Sequence, residues 1–152
     1  MELKLTGAIM EKSSPEEENE LIEILASKLE SATFYRRNLR PGVVYDITFD
    51  WMAVIGLTSS AITIGQALWA AYKKVISSKK ANNPDSTTKL IFQLKDEENN
   101  LVQIVIGDEF NTEEEFLPEF QRRVESTFKQ GKGGQVNTKK VFEESIHWKR
   151  IK

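Results

Sequence analysis

The sequence predicts an α+β domain: a four-stranded, mostly antiparallel sheet with helices packed on it, followed by a C-terminal tail. Three observations predict it. Hydrophobic residues alternate with polar ones in Met1–Ile9, Val43–Asp50, Lys89–Lys95 and Leu101–Ile106, the period of a half-buried strand. Between these runs lie helix-start signals followed by apolar residues at helical spacing. And 152 residues, 39% of them hydrophobic, suffice for one core.

In the first strand, Leu3, Leu5 and Ile9 share a face, with Glu2, Lys4 and Thr6 opposite. Ser13-Ser14-Pro15-Glu16-Glu17 then starts a helix: serine caps free N–H groups, proline fits the first turn, and glutamates suit the positive end of the helix dipole. Leu21, Ile22, Leu25 and Leu29 form its stripe, which carries it to about Ser31. Arg36, Arg37 and Arg40 fall in a loop ending at Pro41-Gly42. In the next strand Val43, Tyr45, Ile47 and Phe49 face one way, and the alternation continues through Trp51, Ala53 and Ile55 to Gly56. Thr58, Ser59 or Ser60 can cap a helix reaching about Ser77, and residues 78–87 read as a polar loop.

Leu90, Phe92 and Leu94, then Val102, Ile104 and Ile106, make the two arms of a hairpin whose loop is Asp96-Glu97-Glu98-Asn99-Asn100. Thr112-Glu113-Glu114-Glu115 is a capping-box start for a third helix with Phe116, Phe120, Val124 and Phe128 on its inner face; Pro118 either kinks this helix or marks its first turn. The order β-α-β-α-β-β-α suggests a ferredoxin-like layout over residues 1–128. Residues 129–140, with Gly131-Lys132-Gly133-Gly134, read as a flexible basic linker, and 141–152 as an amphipathic tail, a short helix or a docked strand.

Composition excludes several chemistries. Without cysteine there are no disulfides or thiolate metal sites. A single histidine, His147, argues against a His-rich metal site or a His-based triad within the chain. Met1–Leu5 lacks the basic start and apolar run of a signal peptide, so the expected compartment is the cytoplasm. Net charge is −2, unevenly spread: Lys129–Lys152 holds seven basic and two acidic residues, +5, which leaves −7 on residues 1–128.

Trp51–Tyr72 is a run of 22 residues without charge. It has the length of a membrane span, with Trp51 at one end, Trp69 and Tyr72 near the other, and Lys73-Lys74 beyond. Thr58, Ser59, Ser60, Thr63 and Gln66 dilute its middle, and its first part continues a period-two strand. The favoured reading is therefore a buried strand, turn and helix, with membrane association through 51–72 as the alternative. Small residues at Ala61 and Gly65, with Trp69, make a possible contact between copies.

The acidic clusters Glu16–Glu18, Asp96–Glu98, Asp108-Glu109 and Glu113–Glu115 sit at helix starts, a hairpin tip and a loop, where carboxylates serve local structure better than catalysis. They lack the spacing of a calcium loop, and Gly131–Gly134 lacks the order of a phosphate loop. No catalytic residue, metal ligand or cofactor site is expected. The tail is the other candidate surface: Lys132, Lys139, Lys140, Trp148, Lys149 and Arg150 suit a protein partner or the acidic body, with a simply solvated tail as the alternative and nucleic acid as a lesser reading.

Leu5-Thr6-Gly7, Ile55-Gly56-Leu57-Thr58-Ser59-Ser60, Ala67–Lys74 and the hairpin Leu90–Ile106 together resemble the effector-associated constant component domains of bacterial conflict systems. The resemblance spans roughly residues 2–128; the long segment 10–42 and the basic tail depart from it. It implies a non-enzymatic adaptor that binds another protein or itself, with no catalytic residue to carry over. On this reading, deleting 129–152 leaves the fold intact and weakens partner binding.

Overall fold

The computed structural model describes residues 2–9, 15–37, 51–56, 60–82, 88–107, 109–128 and 148–151. The elements run β1 (Leu3–Ile9), α1 (Pro15–Lys28), β2 (Thr33–Arg37), β3 (Trp51–Ile55), α2 (Ala61–Asn82), β4 (Leu90–Lys95), β5 (Leu101–Ile106), α3 (Glu113–Thr127) and β6 (Trp148–Arg150). The strands form one sheet in the order β5-β4-β1-β3-β2-β6, every neighbouring pair antiparallel. The fold class is thus α+β, with six described strands where four were expected.

Two of the six account for the difference. β2 holds Arg36 and Arg37, which the sequence placed in a loop. It lies inside the sheet between β3 and β6, and Phe34 and Tyr35, consecutive and so on opposite faces, are both fully buried. A short strand covered on both sides shows no alternation to read. β6 puts the chain's end into the same sheet, as a docked strand, with Tyr35 opposite Arg150 and Ile151 N–H donating to Phe34 O at 2.9 Å. The expected strand Val43–Asp50 and the expected linker 129–140 lie outside the described residues; so do His147 and Asp108.

The uncharged stretch separates into two elements, β3 and α2. Ser60 caps α2: its Oγ accepts the Thr63 N–H at 3.2 Å and its carbonyl accepts the Ile64 N–H. The helix runs to Asn82, past the expected Ser77. Among the described residues no helix is long and apolar enough to cross a membrane. α3 starts where its capping signal lies, with Thr112 Oγ1 accepting the Glu115 N–H at 3.2 Å, so Pro118 sits inside the helix and not in its first turn. The hairpin tip turns as expected. Asp96 O accepts the Asn99 N–H, and Asn99 takes the left-handed conformation, φ 65°, of a three-residue loop closed by a bulge. The Asp96 carboxylate holds the turn by accepting from Glu98 N, Asn100 N and Asn100 Nδ2 at 2.8–2.9 Å.

All three helices contribute to one hydrophobic cluster on one face of the sheet. Leu5, Trp51, Ala53, Ile55, Phe92, Leu94, Val102 and Ile104 supply the strand side; Leu21 and Leu25 of α1, Leu68 and Trp69 of α2, and Phe116 and Phe120 of α3 supply the helix side. Lys74 Nζ lies 3.6 Å from Glu20 Oε1, linking α2 to α1, and Arg36 Nη2 donates to Asn19 Oδ1 at 2.6 Å, linking β2 to α1.

Gly7 is the tightest point of this face. Its register partner is Phe92, and a Cβ there would stand 2.7 Å from Phe92 Cδ1 and 3.0 Å from Trp51 Cζ2. The two rings fill the space a side chain would take. Gly7→Ala is therefore expected to destabilise the protein by about 1–3 kcal/mol. Gly56→Ala, where nothing lies within 4 Å of the new methyl, is expected to be neutral or slightly stabilising. Denaturant unfolding of both variants checks the contrast. Because β6 is part of the sheet, removal of residues 148–152 is expected to speed amide exchange along β2 and to lower the thermal midpoint by a few degrees. This replaces the expectation that the end of the tail is dispensable for the fold.

Candidate interaction surface

The face of the sheet away from the helices is built from the other residue of each alternating pair. Register brings these residues into cross-strand rows over β1, β4 and β5. Ala8, Ile91 and Val105 form an apolar row; Thr6, Gln93 and Gln103 a hydroxyl and amide row; Lys4, Lys95 and Leu101 a row with two cations. Successive rows lie two residues apart, about 6.7 Å, so the graded strip spans about 13 Å along the strands. Ala8, Ile91 and Val105 are half-buried, whereas Lys95, Leu101 and Gln103 are exposed, Leu101 at 44%. Gln93 Nε2 donates to Gln103 Oε1 at 2.6 Å, which orders the middle row. Toward β3 and β2 the same face is closed: Val54, Thr33 and Tyr35 are buried.

The outer edge of β5 is partly blocked. Glu109 N–H donates to Val105 O at 3.2 Å, and Arg123 Nη1 reaches Gln103 O at 3.4 Å. Arg123 also bonds Glu119 Oε1 through Nε at 3.1 Å, lies 3.3 Å from Glu109 Oε2, and stacks its guanidinium over the Phe110 ring, 5.5 Å from its centroid. Groups that occupy edge carbonyls and place charge beside them discourage unwanted strand addition. The edge of β5 is thus less open to strand addition than its face.

Hydrogen bonds from Arg122, then from Arg123, pull the Glu119 carboxyl down to about 2. The group is partly exposed to solvent, so its energetic weight is small. Its sign is definite: a carboxyl lower in the folded state than its ordinary 4.5 adds stability above that value and loses it as pH falls toward 2. Acid titration of Glu119→Gln is expected to show a flatter loss of stability between about pH 4.5 and 2 than the parent chain, with the two curves parallel above pH 5.

The structure distributes the anticipated interaction residues in three ways. Gly65 and Trp69 are buried within the chain. A Cβ on Gly65 would meet Phe120 Cδ1 at 2.9 Å and Leu117 Cδ2 at 3.0 Å, and Trp69 stacks on Phe116 at 5.6 Å and leans on Tyr72 at 5.2 Å. Ala61 is half-buried against the same core. These residues are engaged in packing α2 onto α3 and the sheet. Lys132, Lys139 and Lys140 lie outside the described residues. Trp148, Lys149 and Arg150 form β6, and Arg150 is exposed at the sheet's other edge.

The acidic clusters take local positions: Glu16–Glu18 in the first turn of α1, Glu113–Glu115 in that of α3, Asp96 in the hairpin turn. No group of His, Asp or Glu among the described residues could hold a metal ion. The graded strip itself was invisible to sequence reading, because it depends on which strands are neighbours and in what register. No family model, no curated protein and no solved structure matches the chain.

Proposed function

We propose that this chain is a non-enzymatic protein-interaction module, an adaptor of the kind that the resemblance to effector-associated constant component domains of conflict systems implies, acting in the cytoplasm. One observation carries the reading: a sheet whose first face is filled by three helices presents, on its second face, the ordered and accessible strip Ala8–Ile91–Val105, Thr6–Gln93–Gln103 and Lys4–Lys95–Leu101. A strip of that kind offers apolar area, hydrogen-bonding groups and charge to a partner surface without a cleft. The segments behind the resemblance include the middle of β1, the last residue of β3, the Ser60 cap and the middle of α2, and the hairpin that carries most of the strip.

The reading includes a ferredoxin-like unit. The connection β1-α1-β2-β3-α2-β4 with the order β4-β1-β3-β2 in the middle of the sheet supports it, with β5 and β6 as additions at the two edges.

Site-specific photocrosslinking tests the function. A benzoylphenylalanine at Gln103, on the strip, is expected to give a discrete protein adduct in cells that make the chain. The same probe at Gln66, on the outer side of α2, serves as the comparison. Absence of any adduct from Gln103, with the variant folded, would refute the proposal.

A further inference from the structure

We infer that the strip binds an acidic segment of a partner protein, with carboxylates on Lys4 and Lys95 and apolar side chains on Ala8, Ile91 and Val105. This rests on the reading of the chain as a protein-interaction module and names the chemistry of its partner.

Charge is the first argument. Lys4 and Lys95 stand directly opposite each other on β1 and β4, an arrangement that costs stability on a sheet face. Neither forms an ion pair among the described residues, whose pairs join Lys74 to Glu20, Arg122 to Glu119, and Arg123 to Glu109 and Glu119. None of the six strands contains an aspartate or glutamate, whereas α1 and α3 each carry five glutamates on the far side of the sheet. The nearest acids along the chain are Asp96, buried with its carboxylate turned into the hairpin bonds to Glu98 and Asn100, and Glu2 and Glu97 beyond the lysine row, where Glu2 N–H donates to Glu97 Oε1.

The second argument is order. Charge, amides and apolar side chains follow one another along the strands, so a partner segment must carry its carboxylates about 13 Å from its apolar residues to satisfy both ends. A polyanionic backbone has uniform charge and no apolar end. Single-stranded nucleic acid also wants aromatic side chains on which to stack its bases, and the strip has none. A second copy docking face to face would set lysine against lysine or, turned end for end, lysine against the apolar row, and offers no carboxylate to it in either arrangement.

The test uses the full chain labelled with nitrogen-15 and a short synthetic peptide, leucine-rich in one half and glutamate-rich in the other. Saturable shifts are expected at the amides of Lys4–Ala8, Ile91–Lys95 and Leu101–Val105. The double variant Lys4→Glu/Lys95→Glu should weaken binding about tenfold or more, and Lys4→Gln/Lys95→Gln by less. A peptide with glutamine in place of glutamate should bind weakly or not at all.

Shifts confined to other residues, or unchanged affinity in the double variant, overturn the inference. So does oligothymidylate binding the same amides more tightly than the peptide, which would make the strip a nucleic-acid surface. Self-association that the charge reversal abolishes and the peptide does not compete with would make it a contact between copies, and overturns the inference as well. If the peptide fails while the Gln103 adduct persists, only the acidic partner falls; if both fail, the interaction module falls with it.

Discussion

The structure depends on the close approach at Gly7. There β4 and β3, the strands on either side of β1, bring Phe92 and Trp51 over a backbone position that has no side chain, and the rings settle where a Cβ would stand. Trp51 in turn leans on Phe34, 6.2 Å between centroids, so the contact reaches across β1, β3 and β2. From β4 to β2 the sheet therefore presents the helices with a surface whose aromatic bulk is lowered at its centre. α1, α2 and α3 can lie side by side on that surface and share one core. A larger residue at Gly7 would lift the rings and with them the helix layer.

Placing every described helix on one side fixes what the other side can be. The inner residue of each strand pair is committed to the core, so the outer residues of β1, β4 and β5 escape that demand and are free to carry lysine, glutamine and threonine, whereas those of β2 and β3 are buried as well. Carboxylates concentrate in α1 and α3, where first-turn positions give them a favourable helix dipole. The polarity of the molecule, acidic helices over strands with only basic charges, follows from this division, with the runs Glu16–Glu18 and Glu113–Glu115 on its helix side.

Legibility in the sequence tracks how many sides of an element are wet. β5 was readable to the residue and β4 to within one because one face is buried and the other is not, so Leu90, Phe92 and Leu94 alternate with Ile91, Gln93 and Lys95. The start of α3 was readable because Thr112 caps it through its own side chain, a local interaction. β2 was not: Phe34 and Tyr35 are buried on opposite faces, and that burial comes from neighbours distant in the sequence. Helix ends drifted for a different reason. The Lys and Ser residues at the end of α2 neither extend an apolar stripe nor break a helix, so the stripe gives no stopping point short of Asn82. The candidate strip was the least legible part, since Lys4 and Lys95 lie 91 positions apart and meet only through register.

The same reasoning gives the uncharged stretch its meaning. Trp51–Ile55 lacks charge because β3 is interior to the sheet, with buried residues on both faces. Ala61–Tyr72 lacks charge because α2 is the middle helix of three, with α1 on one side, α3 on the other and the sheet below. Two elements with different geometry thus meet the same demand for apolar residues, and in sequence they merge into one segment of membrane-spanning length. What separates them is Ser60, whose hydroxyl starts a helix at the point where the strand has left the sheet. Ile62, 46% exposed in the first turn after that cap, shows the limit of the demand: at its N-terminal end α2 turns one apolar side chain outward, and farther along Lys73 takes the same solvent side. A membrane span would need apolar residues all round; this helix needs them only toward its three neighbours, and its sequence follows the neighbours.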